Sequence, residues 1–122
     1  LANEQLITSK YAEEAIKKMS PDLQQSIEMI DLRTLIPWDR ELIFKSVKKT
    51  GRALIIHEAT HTSGFGSEIA ATLSQDLFEY LDAPITRLAS LDMPAPFSSQ
   101  IETEVYWPKD NIHDKIIELL NY

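Results

Sequence analysis

At 122 residues, with 43% apolar and 25% charged side chains, the chain has the length and composition of one ordinary globular domain, and no run approaches the ~20 apolar residues of a membrane span. Twelve basic against nineteen acidic side chains give a formal charge of −7, which argues against nucleic acid or an anionic membrane as partner and for a basic one. With no cysteine in the chain, disulfides, thiolate metal sites and cysteine nucleophiles are all excluded.

The chain opens on Leu1 with neither a start methionine nor a basic-then-apolar leader, as expected of an excised or processed domain. Ser9 to Ser20 reads as an amphipathic helix: Ala12, Ala15, Ile16 and Met19 share one face, Thr8 or Ser9 caps the start, and Pro21 stops the end. A polar linker, "PDLQQ", precedes an expected strand over 26–33, "SIEMIDLR". The next helix is bounded by Asp39 as N-cap and Gly51 past its end, with Glu41 in the first turn and Lys45, Lys48 and Lys49 near the last. Residues 53–59, "ALIIHEA", form a continuous apolar run ending in charge, the pattern of a buried parallel strand. A helix over 67–81 buries Ile69, Leu73, Leu77 and Tyr80 or Leu81, and 83–90 supplies a third strand. A proline-broken connection leads to a last helix capped by Asp110, with Ile112, Ile116, Leu119 and Leu120 on one face. Strands joined by helical crossovers run parallel with helices on both sides, so the expected fold is α/β, a three-layer α/β/α domain over residues 1–122 with a mostly parallel sheet.

"HEATH", His57 to His61, spells H-E-x-x-H, and Gly64 extends it toward a zinc-peptidase signature. That chemistry requires both histidines one turn apart on a helix, with a third ligand. His57 instead ends a β-branched run, and a third histidine is replaced by Ser67. The expectation is no metal, with His57 hydrogen-bonded on a strand and His61 solvated in a loop. "SGFG" before a helix suits anion binding by free N–H groups, but two glycines without a phosphate-loop pattern read better as a tight turn that lets the helix approach the sheet. No Ser/His/Asp set has a nucleophile-elbow context.

Taken together, "MIDLRTLIPWDRELIFKSVKKTGRALIIHEATHTSGFGSEIAATL", with "YLDAPITRL" and the prolines of "LDMPAPFSSQIE", resembles one family. It is similar to the C-terminal, transketolase-type domain of the β subunit of 2-oxo acid dehydrogenase E1 components. "LIPWD" and "LLNY" look most like the branched-chain enzymes, with pyruvate dehydrogenase β next. Residues 1–25 fit least well, because "EQLIT" stands where such domains begin with a strand.

The resemblance implies an α2β2 oxidoreductase that uses thiamine diphosphate and magnesium to decarboxylate a 2-oxo acid and acylate a lipoyl group on E2. The cofactor would lie between the E1 α subunit and a pyrimidine-binding domain preceding this one, so none is expected on this chain and no catalytic residue is assigned. Partners implied are the α subunit, a second β subunit and the subunit-binding domain of E2, located in the mitochondrial matrix of a eukaryote or the cytoplasm of a bacterium.

From Asp92 onward Asp92, Glu102, Glu104, Asp110, Asp114 and Glu118 face only Lys109 and Lys115. The expected docking surface for E2 therefore uses Glu102 and Glu104, with Tyr106, Trp107 and Tyr122 as a less screened centre. Phe65 and Phe97 are expected to join the aromatics in subunit contacts. The alternative is a free-standing transketolase-type interaction domain, and a pyrimidine-binding domain encoded upstream would decide against it.

Overall fold

A computed structural model describes residues 2–107 and 111–122, with side chains described from residue 8 onward except at position 103. Among the described residues six α-helices and two strands follow in the order α1 (Ala2–Lys17), α2 (Pro21–Gln25), α3 (Arg40–Thr50), β1 (Leu54–Thr60), α4 (Phe65–Asp76), β2 (Thr86–Ser90), α5 (Ser99–Ile101) and α6 (Ile112–Leu120). A 3-10 turn, Phe78–Tyr80, follows α4, and a π-helical turn, Glu102–Tyr106, continues α5.

β1 and β2 pair in parallel, with Leu54 opposite Thr86, Ile55 opposite Arg87 and Ile56 opposite Leu88. Successive strand side chains point to opposite faces, and the sheet sorts its residues accordingly. Leu54, Ile56 and Leu88 pack with Ala15 and Met19 after α1 and with Ile112 and Ile116 of α6. Ala53, Ile55 and Ile85 pack with Val47 of α3 and with Ile69, Leu73 and Leu77 along α4. Two apolar layers thus flank a parallel sheet, and the expected α/β/α architecture is present.

The boundaries of α3 follow its sequence signals. Asp39 Oδ1 accepts the Leu42 N–H at 3.0 Å, and Gly51 stops the helix at φ +68°, where a Cβ would be strained. The helix expected over 67–81 runs instead from Phe65 to Asp76 and gives way to the 3-10 turn; Ile69, Leu73 and, just past its end, Leu77 are buried as expected, and Leu81 rather than Tyr80 joins the core. α6 buries Ile112 and Ile116. Its expected cap, Asp110, lies outside the described residues.

Three expected elements are corrected. The first helix begins at Ala2, not near Ser9, and absorbs "EQLIT"; no glycine or proline interrupts 2–17, so helix propensity prevails over a short β-branched pair. The linker "PDLQQ" is a helical turn, with Pro21 at its first position, where a missing N–H costs nothing. Residues 26–33 form no strand. Side chains anchor this segment instead: Glu28 accepts from Ser46 at 2.7 Å and from Lys49, Ile27 joins one core and Leu32 the other. Among the described residues the sheet therefore has two strands, not three.

Candidate functional site

The "HEATH" stretch resolves into an irregularity of the strand. Pairing shifts register between Ile56 and Thr60, so the ladder breaks across His57, Glu58 and Ala59. Backbone carbonyls freed inside a protein need other donors, and side chains supply them. Trp107 Nε1–H donates to His57 O at 3.2 Å, the Ser90 hydroxyl donates to Glu58 O, and His57 Nδ1 bonds Ala59 O at 3.1 Å. Regular contact resumes where His61 N–H meets Ser90 O at 2.9 Å.

Because Ala59 O is an acceptor, His57 Nδ1 carries the proton and Nε2 presents its lone pair. Nε2 is buried without a hydrogen-bond partner and faces the start of α4. A Cβ on Gly66 would lie 2.4 Å from this atom, and one on Gly64 would lie 2.4 Å from Thr60 O. The two glycines thus let α4 close on the sheet, as the tight-turn reading expects. Burial, foremost, holds the His57 pKa below its ordinary value, with Arg87 and His61 adding to the effect against the Ala59 bond. The geometry is that of a neutral, structural histidine on a strand. His61 is exposed in the following loop, and no three His, Cys, Asp or Glu side chains converge as metal ligands among the described residues.

Two further side chains fasten this end of the sheet. Arg87 Nη1 donates to His61 O at 2.9 Å and to the Ser67 hydroxyl, and Asp92 accepts both the N–H and the hydroxyl of Thr62. Those bonds hold the Asp92 carboxyl below the usual carboxylate range. Neither residue had a sequence signal, because each works through neighbours more than 19 positions away.

The expected partner residues fall in three places. Glu102 and Glu104 are exposed on the π-helical turn, and Tyr106 beside them is half-buried, its carbonyl accepting the Leu91 N–H. Trp107 is 7% exposed and packs against Tyr11 with the rings tilted at 51° and centroids 5.4 Å apart, so in this chain it is a core side chain. Tyr122, 71% exposed, follows the far end of α6, where Leu120 O accepts from Arg52 just before β1. Arg52 and His57, which bond Leu120 and Trp107, lie five residues apart along the chain, roughly 16 Å at ~3.3 Å each. Tyr122 and the Glu102–Glu104 pair thus flank opposite ends of α6. Phe65 is half-buried at the start of α4 and lines a groove with the 35–41 loop.

Against known proteins, the chain matches the family described as "Transketolase, C-terminal domain" over residues 7–112. It is 50% identical over 98 residues to the mitochondrial 2-oxoisovalerate dehydrogenase subunit beta 2 of Arabidopsis thaliana, covering 80% of this chain and 26% of that protein. Identity to the 2-oxoisovalerate dehydrogenase subunit beta of Pseudomonas aeruginosa is 49% over 73 residues, 60% of this chain and 21% of the relative. The pyruvate dehydrogenase E1 component subunit beta of Mycoplasma pneumoniae is 41% identical over 97 residues, 80% of this chain and 28% of the relative. The chain thus spans about a quarter of the length of these relatives.

Proposed function

The chain belongs to the transketolase C-terminal domain family, and from that premise we propose that it is the assembly and E2-docking domain of the β subunit of a branched-chain 2-oxo acid dehydrogenase E1. One observation carries the choice of substrate class: identity reaches 45–50% with the 2-oxoisovalerate dehydrogenase β subunits against 39–41% with the pyruvate dehydrogenase ones. The whole enzyme would decarboxylate a branched 2-oxo acid and acylate the lipoyl group of E2, in the mitochondrial matrix of a eukaryote or the cytoplasm of a bacterium. Turnover of 3-methyl-2-oxobutanoate against pyruvate by the assembled E1 tests that choice, and preference for pyruvate would reverse it.

Thiamine diphosphate with magnesium would supply the carbanion chemistry of such an enzyme. We assign that group to no residue of this chain; no three His, Cys, Asp or Glu side chains converge among the described residues. We assign no catalytic step to them. Their contribution is surface: contacts to the α subunit and a second β subunit, and docking of the small basic domain of E2.

Glu102 and Glu104, both exposed and two positions apart on the π-helical turn, are the residues proposed to meet E2. Tyr122, beyond the other end of α6, would join the same E2 site from a second β chain. Rim charges chiefly raise association rates, and their reach falls from ~10 Å at 0.1 M salt to ~3 Å at 1 M. Titration of the E2 subunit-binding domain into an assembled β dimer should show binding that weakens with salt and with Glu102→Lys plus Glu104→Lys. Binding indifferent to both changes would remove the acidic surface from the reading.

A further inference from the structure

The loop from Leu35 to Glu41 and the first turn of α4 enclose an open groove of about 580 Å³. Its apolar surface comes from Ile36, 88% exposed, together with Pro37, Trp38 and Phe65. Such area, left in water, forgoes about 25 cal/mol for each Å² that a partner could cover. The rim is acidic. Glu41 and Glu68 are exposed, and neither forms an ion pair among the described residues. Arg40, the cation in this lining, is drawn over the Trp38 ring, 5.3 Å from its centroid, while Asp39 is engaged by the Leu42 N–H. An apolar trough thus lies beside two exposed carboxylates that form no ion pair among the described residues.

We propose that this groove docks an extended peptide segment of a partner chain, which covers Ile36, Trp38 and Phe65 with an aliphatic side chain and sets a Lys or Arg against Glu41 and Glu68. The charge decides among occupants. An anionic ligand would meet a lining in which Asp39, Glu41 and Glu68 outnumber Arg40, and a second copy of this chain would bring its own −7 charge to that acidic rim. A short segment with one apolar and one basic residue satisfies both halves of the groove, the first for affinity and the second for orientation and rate. The surface is separate from Glu102 and Glu104, which project from the π-helical turn, so the proposal stands independently of E2 docking.

The probe is a phage-displayed library of random dodecapeptides, panned at low salt on the immobilised 122-residue chain. Recovered sequences should place Leu, Ile, Val or Pro within a few positions of Lys or Arg. A synthetic copy should shift the Trp38 indole N–H resonance saturably and leave that of Trp107, buried and bonded to His57 O, in place. Glu41→Gln and Glu68→Gln should each weaken binding about two- to fivefold, the range of an exposed ion pair. Ile36→Asp, a change at an exposed side chain, should abolish it, and Glu102→Lys should leave it intact. Failure to recover any sequence, recovery without basic bias, or binding that survives both Ile36→Asp and Glu68→Lys would overturn the proposal.

Discussion

Trp107 donates its indole N–H to the carbonyl of His57, across 50 positions of sequence, at the point where strand β1 loses its ladder. The bond joins the segment after the π-helical turn to the sheet, and the ring fills the layer between α1 and α6. A residue expected to face a partner is thereby an interior one.

Its replacement tests that assignment. Trp107→Phe keeps most of the volume but strands a carbonyl, at a cost of about 1–3 kcal/mol, and Trp107→Ala should cost about 3–5 kcal/mol. Denaturant midpoints measure both. Unchanged stability in Trp107→Ala would place the ring outside the core.

The two glycines before and within α4 make a sharper test. A Cβ at Gly64 meets the backbone oxygen of Thr60 at 2.4 Å, which has little freedom to move, as well as the His57 ring at 2.6 Å, whereas one at Gly66 meets only side chains, the His57 ring and Ile55. Both Gly64→Ala and Gly66→Ala should destabilise by about 1–3 kcal/mol. Combining Gly66→Ala with a smaller residue at 57 should recover part of the loss, while Gly64→Ala should recover less. Equal rescue of both would contradict the contacts described.

His57 predicts a direction for pH. Its folded pKa lies below the ordinary value of about 6.5, because burial opposes the charged ring. Between the folded and unfolded pKa values the unfolded chain binds more protons, so stability rises with pH through that window. The contribution is complete above pH ~6.5 and is lost as pH falls through the folded pKa. Denaturation at a series of pH values below 7 should show this decline, and His57→Gln should flatten it. An identical slope in the variant would assign the decline elsewhere, and the exposed Asp92 and Glu28, whose pKa values are also lowered, are then the groups to neutralise.

Metal and cofactor predictions follow from the same strand geometry. His57 points into the α4 contact and His61 into solvent, so chelation by EDTA should leave the melting temperature unchanged. Calorimetric titration of the 122-residue chain with thiamine diphosphate and magnesium should show no binding. Stoichiometric zinc in untagged protein, or a micromolar cofactor affinity, would defeat the respective expectation.

Self-association should run through the surface aromatics. Phe97 is fully exposed, and Leu91, Ile101 and Val105 are each about half exposed. Light scattering over a concentration series should show mass rising with concentration, and Phe97→Ser should reduce the rise. A monomeric mass throughout would leave Phe97 as an isolated exposed residue.

Much of the architecture is readable along the chain because its signals are local. The cap at Asp39, the stop at Gly51, the period of Ile69, Leu73 and Leu77, and the apolar run into His57 each depend on neighbours within a few residues. Residues 26–33 misled because their alternation is real but serves two cores through side chains, without a backbone ladder. Family membership, too, is carried by the order of short motifs, which linear sequence retains. The site was not readable in the same way. Glu102, Trp107 and Tyr122 are close in sequence, yet α6 carries the last to the opposite end of the sheet and packing buries the second. Sequence alone determined composition, the limits of α3 and the layer order, because propensity and periodicity are properties of short segments. Only the tertiary structure decided which aromatics face solvent and which carboxylates go without an ion pair, because both depend on what the fold brings beside them from dozens of residues away.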